Sequence, residues 1–404
     1  MSIVEKYGFY VILLLFILIS EIKAQVRQMD FEEMWNLTMN QNLDIRNAGL
    51  RIESTERMKK SSWDLGMTQF KWERGQINSD LIDNMYVIEQ ELGSPFEMSA
   101  TKKFYQSETD LWRMDKTRVI REIKKNLRQN YYTWMFENQR IQLIDKGLEL
   151  FKRASEFASL QYETGETNLL SKSLIDSRWQ ELQIKSDRIK INKNTLQNLI
   201  NVIINSEDPV EPALQELEKL VILFPEEHRE IPLDSLPDVA VEQQRFQVAQ
   251  SFYGVTKSKI SPYFSAGYFN QQLLQESGFQ GFLIGIDFPL WFFPQKARVQ
   301  AASLHMSIAE NRYVYEKNRI EKEFENLLMR YDQLLQNLNF FEEQRLENAK
   351  RIETNANILY ESGEIGYLEF VQNLSTALQI QEDYWTLVNE YNQLVIEMYY
   401  YLDM

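Results

Sequence analysis

Apolar residues at helical spacing fill two long stretches of the chain. In the first, Val119, Ile123 and Leu127 recur every four residues; the second alternates steps of four and three: Phe324, Leu328, Tyr331, Leu335, Leu338. Neither stretch contains a proline. The pattern predicts helices over about 98–163 and about 295–362, each ~100 Å long at ~1.5 Å per residue. A compact globular domain does not hold helices of that length.

Two shorter regions alternate apolar and polar residues with period two, which is typical of β-strands. In "MTQFKWER" Phe70 and Trp72 share one side, and in "FLIGIDFPL" Phe282, Ile284 and Ile286 do so. We therefore predict β-hairpins at about 66–93 and about 262–292, with four strands in total. An apolar face on strands of about ten residues suits an outer-membrane β-barrel, but a soluble sheet with one buried face fits equally well.

Aromatic residues close the last predicted strand in the sequence "PLWFFP". Trp291, Phe292 and Phe293 are of the type found in the aromatic girdle at lipid headgroups, so we expect them, with Phe70 and Trp72, to face the membrane. Four strands cannot close a barrel, because lipid does not tolerate open strand edges. A membrane-spanning form would therefore need several chains, and three would supply twelve strands.

A short motif occurs twice: "YETGE" begins at Tyr162 and "YESGE" begins at Tyr360, 198 residues later. The duplication predicts a mainly α fold with a small β part, built from two halves of helix, hairpin, long helix, break and helix. We place the first half at 25–205 with its break near 165. A proline-rich linker follows at 206–237, and the second half covers 238–404 with its break at 363–366.

The N-terminus has the features of a secretory signal peptide. Lys6 precedes an apolar run of 13 residues, Gly8–Ser20, which is shorter than the roughly 20 residues that span a membrane. We predict a signal peptide over residues 1–24, cleaved after Ala24, in preference to a membrane anchor. The chain has no cysteine, which excludes disulfides and thiolate metal sites.

The net charge and the motifs of the sequence exclude several classes of function. A net charge of −15 argues against nucleic acid as a partner; it suits a solvated acidic surface or a water-filled passage for cations. The two histidines, His228 and His305, do not form a metal-ligand pair, and the methionines are scattered. No phosphate-binding loop or nucleophile motif is present. We predict no enzyme activity, no cofactor and no metal site.

With its duplicated layout, its two hairpins before long helices and its two Tyr-x-x-Gly breaks, the chain resembles the TolC-like outer-membrane efflux proteins. The closing segment, Tyr360–Met398, is most similar to the CusC/CzcC-like branch that serves heavy-metal-type RND pumps. The resemblance implies a homotrimer with a 12-stranded barrel in the outer membrane of a Gram-negative bacterium and an α-helical barrel in the periplasm. A periplasmic adaptor and an inner-membrane RND-type pump would deliver the substrate.

The resemblance also implies roles for the two breaks, which in this family form the periplasmic tip where the adaptor docks. It assigns to the docking tip the residues Gly165, Glu166, Thr167, Gly363, Glu364, Ile365 and Gly366. Tyr360 and Glu369 match the family's gate positions, and three copies of Glu369 would form an acidic ring that favours cations. A solvated surface glutamate is the alternative. The equivalent first-half position is Ser171.

A second functional class is a periplasmic coiled-coil scaffold, or the adaptor itself. An adaptor would show one helical hairpin between glycine- and valine-rich β-domains, whereas this chain has two helix and hairpin units. A pure scaffold would have no use for amphipathic hairpins rich in Phe and Trp. The pattern therefore favours a duct.

Overall fold

The computed structural model describes residues 27–213, 216–222, 233–274 and 276–402. These residues form a mainly helical fold with a small antiparallel sheet, as the sequence predicts. The predicted signal peptide at 1–24, and residues 214–215 and 223–232 of the predicted linker, lie outside the described residues. Among the described helices, none has both the length and the apolar character to cross a membrane.

The elements follow one another in two similar series. The helices are α1 Phe31–Gln41, α2 Leu43–Lys60, α3 Pro95–Glu163, α4 Leu169–Ile204, α5 Pro237–Ser258, α6 Phe293–Phe340, α7 Leu346–Glu361 and α8 Tyr367–Leu402. The strands are β1 Arg27–Met29, β2 Thr68–Gly75, β3 Asp83–Gly93, β4 Val210–Pro212, β5 Tyr263–Leu273 and β6 Glu276–Asp287. α3 is a single helix of 69 residues, in which no proline interrupts the hydrogen bonding.

The first of two compact units comprises the described residues of 1–43, 121–231 and 323–404. Its core contains the fully buried side chains of Leu127, Trp134 and Val395. β1 pairs in parallel with β4. The extended segment 216–222, here called the strap, lies on this core, because the buried Asn392 amide bonds its backbone at Leu220 N and Glu218 O, both at 2.9 Å.

The second unit comprises the described residues of 44–120 and 232–322, and it contains the four-stranded sheet. The strand order is β2-β3-β5-β6, and every neighbouring pair is antiparallel. The register places Phe70, Ile88, Tyr268 and Phe282 in one row across the sheet. β2 and β6 are its two edges.

Two element boundaries differ from the sequence prediction. The second long helix is interrupted by a π-helical turn at Phe341–Arg345, so that α6 and α7 replace the single helix predicted for 295–362. Apolar spacing does not reveal one extra residue when both flanking segments keep their own periodicity. The last strand ends at Asp287 rather than near 292, and Phe293 already begins α6.

Candidate functional site

The two helix breaks, residues 160–172 (the first tip) and 358–370 (the second tip), have the same backbone structure. In the first, the N–H of Glu166 donates to the carbonyl of Gln161 at 2.8 Å, and in the second, the N–H of Glu364 donates to Leu359 at 2.9 Å. Gly165 and Gly363 have φ of 79° and 77°. Glycine adopts this left-handed conformation at little cost, so both helices end at an αL cap.

The helices that follow the tips begin differently. Asn168 caps α4, because its side-chain oxygen accepts the N–H of Ser171 at 2.9 Å. The equivalent position before α8 is Gly366, which has no side chain to do this. Gly366 lies in the break predicted at 363–366, but its φ is not positive and a Cβ there would meet no atom within 4 Å. Only Gly363 is therefore required by the turn of the second tip.

An aromatic cluster closes the second tip. The ring of Tyr360 stacks on Phe370, with centroids 4.5 Å apart and planes 17° apart, and Tyr367 packs edge-on against Phe157 at 5.0 Å. Burial, and then the neighbouring Tyr360, raise the pKa of Tyr367 above its ordinary value. Ile365 packs against the apolar core that contains Phe370. These contacts join the end of α7 to the start of α8.

The first tip has no such cluster, although its backbone is the same. Tyr162, the counterpart of Tyr360, is exposed and lies 5.5 Å from the Lys172 ammonium, which stands where the second tip has Phe370. Leu169 and Leu170 are exposed at the start of α4, Leu170 to 69%. The first tip thus presents an open apolar surface, whereas the aromatic side chains of the second tip pack on each other.

The predicted polar tip residues lie on the surface. Glu166 and Glu364 are exposed, and Thr167 is partly buried. Glu369 is also exposed and lies in the first turn of α8, where the helix dipole favours a negative charge. The structure therefore brings Tyr360 into the aromatic cluster and leaves Glu369 outside it.

One face of the four-stranded sheet is apolar and exposed. Phe70 and Trp72 on β2 and Phe282 on β6 all point to this face, and Phe282 is 85% exposed. The opposite face is mixed: it carries Val87 and a polar cluster in which the Ser265 hydroxyl donates to Glu89 at 2.9 Å and Lys71 lies 3.8 Å from the same carboxylate. Trp291, Phe292 and Phe293 follow β6 and are exposed as well.

A buried polar network near the middle of the first unit was not anticipated from the sequence. Glu382 on α8 accepts from Arg140 on α3 at 3.1 Å and pairs with Lys185 on α4. Arg178 on α4, seven residues before Lys185, donates to Ser375 on α8, seven residues before Glu382, at 2.9 Å. The matched spacing of seven in both helices is a signal that the sequence contains, but it does not identify which residues are partners.

The described residues contain no group of three or more His, Cys, Asp or Glu side chains placed to hold a metal ion. His305 is described, whereas His228 lies outside the described residues.

Comparison with known proteins identifies the fold. No protein family model and no curated protein matches the sequence. Solved structures do match. A membrane protein from Pseudomonas aeruginosa superposes with a TM-score of 0.78 at 12% identity, covering 94% of this chain and 91% of the other. CusC gives 0.73 at 14% identity, with 93% and 92% covered, and the Campylobacter jejuni outer-membrane channel CmeC gives 0.71 at 14%, with 92% and 84% covered.

The chain has the TolC-like outer-membrane channel fold. The resemblance inferred from the sequence is thereby confirmed at the level of the fold, and CusC is among the neighbours. The neighbours with this channel fold are channel proteins and not enzymes, in line with the sequence prediction. At identities of 12–14% the likeness establishes the fold, so function is argued separately below.

Proposed function

We propose that three copies of this chain form a passive exit duct in the outer membrane of a Gram-negative bacterium, extending into the periplasm. A periplasmic adaptor and an inner-membrane RND-type pump deliver the substrate to it. The observation that carries the proposal is an exposed apolar sheet face, with Phe70, Trp72 and Phe282, in a chain with the TolC-like channel fold. In an aqueous environment such a face would be an aggregation hazard; in lipid it is satisfied.

Two open sheet edges and an exposed apolar surface on α4 support the proposed trimer. β2 and β6 are sheet edges, and an open edge cannot remain in lipid, so pairing of β6 with β2 of the next chain would close a ring of twelve strands. On α4, Ile184 and Ile191 are one heptad apart and 63% and 65% exposed. Contact with a neighbouring chain would remove this apolar surface from water.

The lipid contacts follow from the same face. Phe70 and Trp72 would lie against the acyl chains, and Trp291, Phe292 and Phe293 would lie at the headgroups, where aromatic rings are favoured. The opposite face, with the polar cluster of Glu89 and Lys71, would then line the water-filled interior.

Adaptor docking is proposed for the tips, through Gly165, Glu166 and Thr167 in the first and through the range 363–366 in the second. Each αL glycine makes a tight turn that exposes the last backbone groups of one helix and the first of the next. The apolar surface around Leu169 and Leu170 supplies area that a partner's helical hairpin would bury.

The gate is proposed for the second tip. Tyr360 would act by holding α7 to α8 through its stack on Phe370. Glu369 is exposed, and three carboxylates around one axis would attract cations, metal ions among them, and repel anions.

Exchange of Glu369 for glutamine tests the gate. In planar bilayers we expect Glu369→Gln to lower the cation-over-anion permeability ratio, because the ring loses its charge. The matched control is Glu364→Gln, which removes a charge from another exposed glutamate of the same tip. Equal permeability ratios in Glu369→Gln and the wild type would reject Glu369 as a constriction charge.

Localisation tests the function as a whole. We expect to find the protein in the detergent-insoluble outer-membrane fraction. After purification, we expect it to form channels that single-channel recording detects in planar bilayers. Recovery from the soluble periplasm would instead support a coiled-coil scaffold or adaptor. Deletion of the gene, followed by growth on metal salts, detergents and antibiotics, would identify the class of exported substrate.

A further inference from the structure

The π turn at Phe341–Arg345 marks a difference between the two halves of the chain. Upstream of it, buried positions correspond at a separation of 197: Leu127 to Phe324, and Trp134 to Tyr331. The residue 198 after Leu127 is Glu325, which is exposed. The buried positions of α3 and α6 are therefore separated by 197 residues, one fewer than the 198 residues that separate the two tip motifs.

Downstream of the π turn the separation is 198. Phe151 corresponds to Ala349 and Ala158 to Ala356, all buried, and the tips keep the same offset. The change from 197 to 198 falls within 341–345, where the N–H of Leu346 donates to the carbonyl of Phe341, five residues earlier. The second half thus carries one inserted residue, which the helix absorbs as a π turn.

Glu342 lies within the π turn, where the register changes, and its side chain contacts two other elements. Its carboxylate lies 2.7 Å from the Lys219 ammonium of the strap and accepts the Tyr384 hydroxyl of α8 at 2.9 Å. The first half has a counterpart of the Tyr384 contact: Asp145, 197 residues before Glu342, accepts the hydroxyl of Ser186, 198 residues before Tyr384, at 3.4 Å. The Lys219 contact with the strap belongs to the second half.

We infer that Glu342 is a positioning residue that fixes the rotation of α7 against α8, and thereby the packing of the second tip. α7 is packed less firmly than α6. The buried residues of α7 are Ala349 and Ala356, whereas α6 buries large side chains such as Phe324 and Leu338 in the core. Loss of the Glu342 contacts therefore frees α7 to turn while α6 stays in place. At the far end of α7, that turn pulls Tyr360 away from Phe370.

Cysteine cross-linking measures this rotation directly, because the chain contains no cysteine of its own. Ala349 on α7 and Ala377 on α8 are buried in one small cluster, so the pair Ala349→Cys with Ala377→Cys reports whether these faces meet. In this background we compare Glu342→Ala with Glu347→Ala, a matched change at an exposed glutamate that pairs with Arg351 at 3.1 Å.

We expect Glu342→Ala to slow disulfide formation by roughly three- to ten-fold, the scale of one ordinary hydrogen bond, because Glu342 and Lys219 are partly exposed. Glu347→Ala is expected to match the parent in the rate of disulfide formation, because its pair with Arg351 is exposed. Deletion of Glu343, which restores an uninterrupted α-helix, should nearly abolish the cross-link, since a displaced pair cannot be bridged. Parental rates in Glu342→Ala, or in a folded Glu343 deletion, would overturn the inference.

The consequence for conduction rests on the proposed function. If the chain forms a duct, Glu342→Ala should also raise the single-channel conductance, because the second tip loosens. The two failures are distinguishable. Absence of channels in the wild type would reject the duct, while the cross-linking rates would still decide the role of Glu342.

Discussion

Gly363 and Gly366 are three positions apart in the second tip, yet the backbone requires only the first. Gly363 has φ of 77°, so Gly363→Ala should cost about 1–2 kcal/mol of unfolding free energy. Gly366 has open space, no positive φ and the N-cap position of α8, so Gly366→Asn, which installs the cap of the first tip, should be neutral or stabilise by about 0.5 kcal/mol. Denaturant unfolding of the purified protein measures both. Equal losses in the two variants would contradict this distinction.

Position 370 and its counterpart 172 decide whether a tip is packed or open. Phe370→Lys would give the second tip the side chain of the first and remove the stack on Tyr360, so we expect higher conductance and faster proteolysis at the tip. Such a stack is worth ~0.5–1.5 kcal/mol beyond its buried area. The converse change, Lys172→Phe, should protect the first tip from proteolysis. Unchanged conductance and proteolysis in Phe370→Lys would show that the stack does not hold the tip.

At the scale of elements, α4 and α8 are linked by polar contacts repeated every seven residues. Arg178 meets Ser375, and Lys185 meets Glu382. Because Glu382 is buried and bonds two cations, it also ties α3 to this pair of helices through Arg140. Polar contacts of this kind fix the register between helices whose apolar faces alone would permit sliding.

Removal of the shared carboxylate tests that role. Glu382→Ala should lower the unfolding free energy by about 2–4 kcal/mol, below the upper range for a buried pair because Lys185 can reach solvent. Asp187→Ala on α4 is the control, since its pair with Lys190 is exposed at 3.9 Å and should be worth less than about 1 kcal/mol. Equal effects of the two changes on the denaturation midpoint would show that the Glu382 network is not stabilising.

At the scale of the whole molecule, the proposed trimer would bury surfaces that one chain leaves exposed. Ile184→Lys places a charge on the exposed apolar face of α4, so we expect a loss of trimers in light scattering after gel filtration. Gln183→Lys is the matched control, because it introduces the same residue at the adjacent exposed position. A trimer fraction as large in Ile184→Lys as in Gln183→Lys would show that this face is not an interface.

Much of the fold could be predicted because its determinants are local. A spacing of three and four residues marks the long helices, period two marks strands such as β6, and the left-handed glycine of each tip ends a helix whatever surrounds it. The repeated motif at Tyr162 and Tyr360 then relates the two halves. The TolC-like resemblance followed from this layout, and structural comparison confirmed the fold.

The candidate site was less predictable, since its side chains depend on distant partners. The sequence placed Tyr360 and Gly366 together in one tip. It could not show that Tyr360 stacks on Phe370, or that the backbone of Gly366 does not have the positive φ that favours glycine. Asn168 could have been recognised as a helix cap from its place before "LLSK". Glu342 could not, because its partners Lys219 and Tyr384 lie far from it in the chain.

The sequence alone determined the helical and strand segments, the duplication and the turns, because each rests on interactions within a few residues of chain. Only the tertiary structure decided the π turn, the Glu382 network and the unequal packing of the two tips. These features depend on which side chains meet across elements far apart in the chain, such as Glu342 with Lys219 and Tyr384. Local periodicity is the same whether or not such contacts form, and packing is what selects among the registers it permits.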